Sequence, residues 1–228
     1  MPRSVNRRDL SVRVKTARGR KISSVRWLQR QLNDPYVAEA KRRGLRSRAA
    51  FKLIEIDDKF HILKPGMAVL DLGAAPGGWS QVAAERVGPS GKVVAVDIRP
   101  MDPLPDVVFI QADITEQATE QAARAALGRA PDVVLSDMAS SATGHAQTDH
   151  LRTMALVEAA LDCALSMLAP GGSFVAKVLQ GGTQAELLAQ MKHRFARVKH
   201  AKPPASRSDS AEMYVVATGY RRAADAET

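Results

Sequence analysis

Between Met67 and Thr218, short runs of apolar residues alternate with longer stretches in which apolar positions recur every three to four residues. The short runs predict strands over Met67–Leu72, Lys92–Asp97, Val107–Gln111, Asp132–Asp137, Ser173–Val178, Val198–Ala201 and Glu212–Thr218. The longer stretches predict helices over Gly77–Val87, Thr115–Leu127, Asp149–Leu168 and Thr183–Arg194. Strand–helix alternation of this kind makes an α/β domain, a doubly wound and mostly parallel sheet with helices on both faces. The last two strands have no helix between them, so they are expected to pair antiparallel at one end of the sheet, which makes the last of the seven strands antiparallel. Upstream, Leu45, Ala49, Leu53, Ile56 and Phe60 recur at helical spacing, and Arg48, Lys52, Glu55 and Lys59 line another face. Residues 1–33 show no sustained apolar periodicity. They read as a flexible extension, with the domain over 34–221 and a tail over 222–228.

The first strand runs into Leu72-Gly73-Ala74-Ala75-Pro76-Gly77-Gly78-Trp79, small residues that open a helix. Glycines let main chain approach a ligand closely, and a helix start offers unpaired N–H groups. Such a turn grips a nucleotide-like cofactor, although other nucleotide sites and plain structural turns share it. In an open α/β sheet ligands bind beyond the carboxyl ends of the parallel strands. Asp97 ends the second strand, 24 positions after Gly73, where an acid meets ribose hydroxyls. Asp113 follows the third strand and either meets an adenine amino group or caps the next helix. Asp137 ends the fourth strand, Lys177 stands near the end of the fifth, and an antiparallel last strand would start with Glu212 at the same edge. A lysine in an apolar strand either turns outward or pairs with carboxylates, and Asp137 and Glu212 are available. Lys52 taken alone reads as a solvated helix lysine. Trp79, on the cofactor turn, is either core filler or a pocket wall.

The 228 residues carry a net charge of +9, unevenly spread. Residues 1–52 hold 16 lysines and arginines against Asp9, Asp34 and Glu39, a balance of +13 that leaves −4 for the remainder. A basic end of this kind suits a polyanion such as RNA, or is a solvated tail. No apolar run approaches the roughly 20 residues of a spanning helix, so no membrane role is expected. Cys163 is the single cysteine, which excludes an internal disulfide and a cysteine metal site and suits a reducing compartment. The expected setting is the cytoplasm, with a mitochondrion as the alternative if the basic N-terminus is a transit peptide.

Five segments together carry a resemblance. Ser47-Arg48-Ala49-Ala50-Phe51-Lys52-Leu53, Asp71 to Trp79, Ser136-Asp137-Met138-Ala139, Lys177-Val178 and Ser208-Asp209-Ser210-Ala211-Glu212-Met213-Tyr214 resemble, in order, the FtsJ/RrmJ family. These are S-adenosylmethionine-dependent ribose 2′-O-methyltransferases with a Rossmann-like fold, whose bacterial type acts on a uridine in the A-loop of large-subunit (23S) rRNA. The resemblance implies a catalytic tetrad at Lys52, Asp137, Lys177 and Glu212, with Lys177 accepting the proton. It implies S-adenosylmethionine contacts at Gly73, Gly77, Gly78, Trp79, Asp97, Asp113 and Asp137, and no metal. It further implies the large ribosomal subunit as partner. No protein partner is readable, and a monomer is expected.

The chemistry is demanding in its own right. Lysine, with an ordinary pKa of about 10.4, takes a proton at neutral pH only where its ammonium form is disfavoured, so orientation and electrostatic stabilisation are the other roles open to Lys177. A nicotinamide dehydrogenase is disfavoured, because the turn lacks the G-x-G-x-x-G order. Base amino methylation lacks its Asn/Asp-Pro-Pro-aromatic stretch after the fourth strand, and cytosine C5 methylation needs a cysteine nucleophile where Cys163 is helical. A tRNA substrate and an assembly factor acting by RNA binding are the competing functions. With 4% aromatics a stacking platform is disfavoured, and shape and phosphate recognition by the extension, Lys41–Arg48 and Lys202–Arg207 is expected.

Overall fold

The computed structural model describes residues 22–140, 144–180 and 185–222, together with Val12, Val14 and Gly19. Three helices come first: α1 (Ile22–Leu32), α2 (Pro35–Arg42) and α3 (Ala50–Phe60). The alternating core follows as β1 (Ala68–Leu72), α4 (Gly78–Val87), β2 (Lys92–Asp97), β3 (Val107–Gln111), α5 (Gln117–Leu127) and β4 (Val133–Ser136). It ends with α6 (Ala146–Met167), β5 (Ser173–Leu179), α7 (Ala185–Arg194), β6 (Phe195–Ala201) and β7 (Glu212–Tyr220). The seven strands form one sheet in the order β3-β2-β1-β4-β5-β7-β6. β7 is antiparallel to both neighbours, and the pairs among β1 to β5 are parallel.

Strand residues alternate between two cores, as a period of two demands. Val69, Val93, Leu135, Val175 and Val216 pack with α3 and α4 through Leu53, Ile56, Val82 and Ala83. Leu70, Val94, Val134, Phe174 and Val215 pack with α5, α6 and α7 through Leu127, Leu161 and Met191. Burial on both faces is why these strands read as continuous apolar runs. The same alternation fixes the lysine in β5: two positions beyond Val175, Lys177 belongs to the α3 side of the sheet.

The N-terminal third differs from the sequence expectation. Residues 22–32 of the stretch without sustained periodicity form α1, in which Ile22 and Leu32 stay exposed; most of the preceding segment, and Ala223 onward, lie outside the described residues. Val12 is tied to the residue after α1, Asn33, whose Oδ1 accepts from the Val12 N–H at 2.9 Å, and the Val14 N–H donates to Gln29 Oε1 of α1 at 3.1 Å. Asp34 caps α2 by accepting from the Tyr36 N–H at 3.0 Å, and Pro35 suits the first helical position. The helical spacing from Leu45 to Phe60 resolves into a connection plus α3: Leu45 and Ala49 precede the helix but still pack on its core. The helix expected to begin at Thr183 starts, within the described residues, at Ala185.

Candidate active site

The carboxyl edge of the sheet holds a cavity of about 470 Å³. Of the positions expected at a cofactor, Gly73, Gly78, Trp79, Asp97, Asp113 and Asp137 line it. Gly77 does not line it but makes the turn, with φ +100° and no room for a Cβ, which would lie 2.8 Å from Leu104 Cδ1. At Gly73, φ is +73° and a Cβ would lie 2.3 Å from Met138 Cγ. That close approach is what brings the segment after β4, with Asp137, against the turn.

The carboxylates of the cavity are held in different ways. Asp97 accepts from the Ala75 N–H at 2.9 Å and the Arg99 N–H at 2.8 Å, so it holds the turn as well as facing the cavity. Asp113 is exposed and accepts from both the N–H and the hydroxyl of Thr115 at 2.9 and 2.8 Å, bonds that pull its pKa below the ordinary value. It serves a turn ahead of α5, close to the capping alternative. Asp71, to which sequence reasoning assigned no role, is 1% exposed. Burial foremost, then the charges of Asp137 and Asp97, push its pKa up to about 7 against the opposing Ser80 hydrogen bond of 2.5 Å. Asp71 Oδ1 and Ser47 Oγ are buried, face this cavity and have no hydrogen-bond partner among the described residues. One orphan acceptor and one hydroxyl, beside the start of α4, fit a cofactor that carries an amino-acid zwitterion.

The four residues of the expected tetrad meet. Lys52 Nζ lies 2.6 Å from Glu212 Oε1 and 3.9 Å from Asp137 Oδ1. Lys177 Nζ donates at 2.8 Å to both Asp137 Oδ1 and the Asp137 carbonyl, and lies 3.9 Å from Glu212 Oε2. Lys52 reaches the group because α3 packs on the sheet face that Lys177 also faces. Burial pushes the Glu212 carboxyl up, but the Lys52 and Lys177 ammoniums and the bonds from Lys52 and Ser206 outweigh it and hold its pKa below the ordinary value.

Tyr214 is a fifth member, missed at its place two positions after Glu212. That spacing puts both side chains on one face of β7, and the register sets Tyr214 opposite Lys177. Its hydroxyl donates to Asp137 Oδ1 at 2.7 Å and lies 3.1 Å from Glu212 Oε1. Burial first, then the two carboxylates, drive its pKa well above the ordinary value, so it stays a neutral donor. Trp79 backs it at 5.5 Å between ring centroids and donates its indole N–H to the Ala49 carbonyl at 2.9 Å. Loss of a hydrogen bond to a charged group is worth about 1.5–3 kcal/mol. Tyr214→Phe is expected to slow single-turnover methyl transfer by roughly ten- to a hundredfold with cofactor affinity unchanged. A drop of several thousandfold would instead make the phenol a participant in the reaction.

On the far side of the tetrad lies a second, smaller cleft of about 230 Å³, lined by Arg30, Arg48, Arg207, Asp209, Ser210 and Glu212. Asp34 holds two of the guanidiniums in place, Arg48 Nε at 2.8 Å and Arg207 Nη2 at 3.3 Å. Asp137 thus faces the larger cavity and Glu212 the arginine-bearing cleft, with the two lysines between. Among the described residues no group of His, Cys, Asp and Glu could hold a metal ion, and no helix is long and apolar enough to cross a membrane.

Comparison with known proteins gives the same motifs a wider setting. The FtsJ-like methyltransferase family matches residues 45–220. A protein of Paramagnetospirillum magneticum named ribosomal RNA large subunit methyltransferase E is 61% identical, with 94% of this chain and 90% of that protein covered. One of the same name from Azorhizobium caulinodans is 58% identical, with 98% and 95% covered. The crystal structure of a Plasmodium falciparum protein described as a ribosomal RNA methyltransferase superposes with a TM-score of 0.70 at 32% identity, covering 77% of this chain and 98% of that one. With its motifs in order along the sheet edge and its relatives matched over nearly their whole length, the chain belongs to the FtsJ-like methyltransferase family.

Proposed function

We propose that the chain methylates the ribose 2′-hydroxyl of a uridine in large-subunit ribosomal RNA, in the A-loop, using S-adenosylmethionine in the cytoplasm. The observation that carries this reading is the tetrad between two unlike cavities, one suited to the methyl donor and one lined by arginines suited to phosphates. The names borne by the relatives supply the RNA class. When bound, S-adenosylmethionine supplies an electrophilic methyl group on its sulfonium. Asp71 and Ser47 would hold its amino-acid end, and Asp97 and Asp113 its adenosine.

The chain's own part is orientation and proton transfer. In the reactive form, reached by loss of one ammonium proton to solvent, Lys177 is an amine with two N–H donors and one lone pair, and two acceptors are in reach, Asp137 Oδ1 and the Asp137 carbonyl. With both N–H bonds committed, the lone pair is left for the proton of the ribose hydroxyl. The ribose oxygen would take the methyl group as the methyl–sulfur bond breaks, the bonding pair staying on sulfur, while the hydroxyl proton moves to Lys177 Nζ, and the resulting ammonium is held by the Asp137 carboxylate. Lys52, locked to Glu212, stands where it can steer the hydroxyl and balance the charge that develops on the oxygen. Alignment of attacking and leaving atoms supplies much of the acceleration, as effective-molarity effects of about 7–11 kcal/mol allow.

Mapping 2′-O-methyl groups in total RNA with and without the gene tests the proposal. The expected result is loss of one methylated uridine in large-subunit rRNA. Unchanged large-subunit rRNA would overturn it, and a change confined to tRNA would move the substrate there.

A further inference from the structure

The sequence places Arg46 among the cations of the Lys41–Arg48 stretch, a set that faces RNA by its charge. Its guanidinium is turned the other way. Nη1 donates to the Asp102 carbonyl at 2.6 Å and to the Pro76 carbonyl at 3.4 Å, and Nη2 donates to the Pro103 carbonyl. The Arg46 N–H donates to Gln81 Oε1 at 3.0 Å, and Gln81 Nε2 donates back to the Gly44 carbonyl at 2.9 Å, so the segment is fastened to α4 as well. Its stem packs where Gly77 has no Cβ, 3.3 Å from the position that atom would take. Across the turn, Arg99 Nη2 donates to the Ala75 carbonyl at 3.0 Å.

Two walls of the cofactor cavity are therefore joined. One is the turn Ala74–Pro76, the other the segment that leaves β2 through Asp97, Ile98 and Arg99. Pro76 belongs to the first, Asp102 and Pro103 continue the second, and Arg46 bridges them from a third element. A planar guanidinium with five donors can hold carbonyls on separate segments, whereas a single ammonium concentrates its charge at one point. We propose that Arg46 is a positioning residue of the cofactor cavity, fixing the spacing of its two walls, and not an RNA-phosphate contact. This inference rests on the reading of that cavity as the methyl-donor site.

The test uses the full chain with Arg46→Met, which keeps the stem against Gly77 but no donors, and Arg46→Lys, which keeps the charge but not the fork. Calorimetric binding of S-adenosylhomocysteine, steady-state kinetics and the salt dependence of binding to a large-subunit rRNA fragment are compared. Both variants are expected to bind S-adenosylhomocysteine roughly tenfold more weakly, as the loss of one to two net hydrogen bonds implies. KM for S-adenosylmethionine should rise by a similar factor while kcat falls less than threefold, and the slope of log K against log salt should match wild type. Unchanged S-adenosylhomocysteine affinity in Arg46→Met would overturn the inference. Rescue by Arg46→Lys, with a salt slope lower by about one in Arg46→Met, would overturn it in favour of a phosphate contact. Equal losses in KM and kcat with a lowered melting temperature would reduce Arg46 to a general structural residue and also overturn it. A wild-type chain that binds no S-adenosylhomocysteine would refute the reading of the cavity instead.

Discussion

Lys177→Ala is expected to lower single-turnover methyl transfer by roughly 10²–10⁴-fold, the range a positioned proton acceptor contributes. Binding of S-adenosylhomocysteine should stay within about threefold of wild type, since losses confined to the reacting centre leave ground-state binding intact. Lys177 does not line the cofactor cavity, and Asp97, Asp113 and the Gly73–Trp79 turn are untouched by its removal. The fold should survive as well. Asp137 keeps the Tyr214 hydroxyl at 2.7 Å and Lys52 at 3.9 Å, so it is not stranded as an unpaired charge. Lys177→Arg is the sharper companion. It restores a cation beside Asp137, but a guanidinium stays protonated and has no lone pair to offer. If Lys177 only stabilises negative charge on the ribose oxygen, Lys177→Arg recovers much of the rate; if it accepts the proton, Lys177→Arg stays as slow as Lys177→Ala. Near-full single-turnover methylation by Lys177→Ala would remove the residue from the mechanism altogether.

What the sequence made legible follows from where the physical signal sits. Strands β1, β2, β4 and β5 are buried on both faces and stand out as apolar runs with predictable ends. The edge strand β6 has only Phe195 and Ala201 fully buried, at its two ends, so its first three residues fall between the predicted helix Thr183–Arg194 and the predicted strand Val198–Ala201. That β7 inserts between β5 and β6 is a matter of sheet order, which no local period encodes. At the site, Lys177 was conspicuous because a lysine in an apolar strand needs partners. Lys52 carried no such mark, being one of several cations on a helix, and only the packing of α3 on the sheet brings it to Glu212. Tyr214 looks like an ordinary strand residue until the β5–β7 register is known, whereas Asp71, the one charge in the apolar run of β1, carried the same mark as Lys177 and was passed over. Asp34, which caps α2, also anchors Arg48 and, across 173 positions in sequence, Arg207, a contact with no local signature.

The Lys52–Glu212 pair should have the largest effect on stability, and its behaviour separates architecture from chemistry. The side chains are 7% and 17% exposed and 2.6 Å apart. Removing one partner from a buried pair leaves the other as an uncompensated charge, at a cost of about 3–5 kcal/mol, whereas replacing both with apolar groups of similar size is often neutral. Glu212→Leu is therefore expected to lose roughly 3 kcal/mol in urea unfolding, because Lys52 keeps only weak partners among the described residues, Asp137 at 3.9 Å and the Tyr214 ring at 5.7 Å. Lys52→Met should lose less, since Glu212 retains Ser206 and Tyr214 at 3.1 Å and Lys177 at 3.9 Å. The double variant should return to within about 1 kcal/mol of wild type and still fail to methylate, because nothing remains to steer the ribose. The pH dependence has a definite sign. The Glu212 pKa is lower in the folded chain than in the unfolded one, so its contribution is fully present above the unfolded carboxylate pKa of about 4.3 and is lost as pH falls through the lower folded value. The stability gap between wild type and Glu212→Leu should then be constant from neutral pH down to about 5 and narrow below about 4. A gap that is absent at neutral pH, or that widens on acidification, would mean the pair is solvated rather than buried, and the tetrad would lose its claim to be a preorganised site.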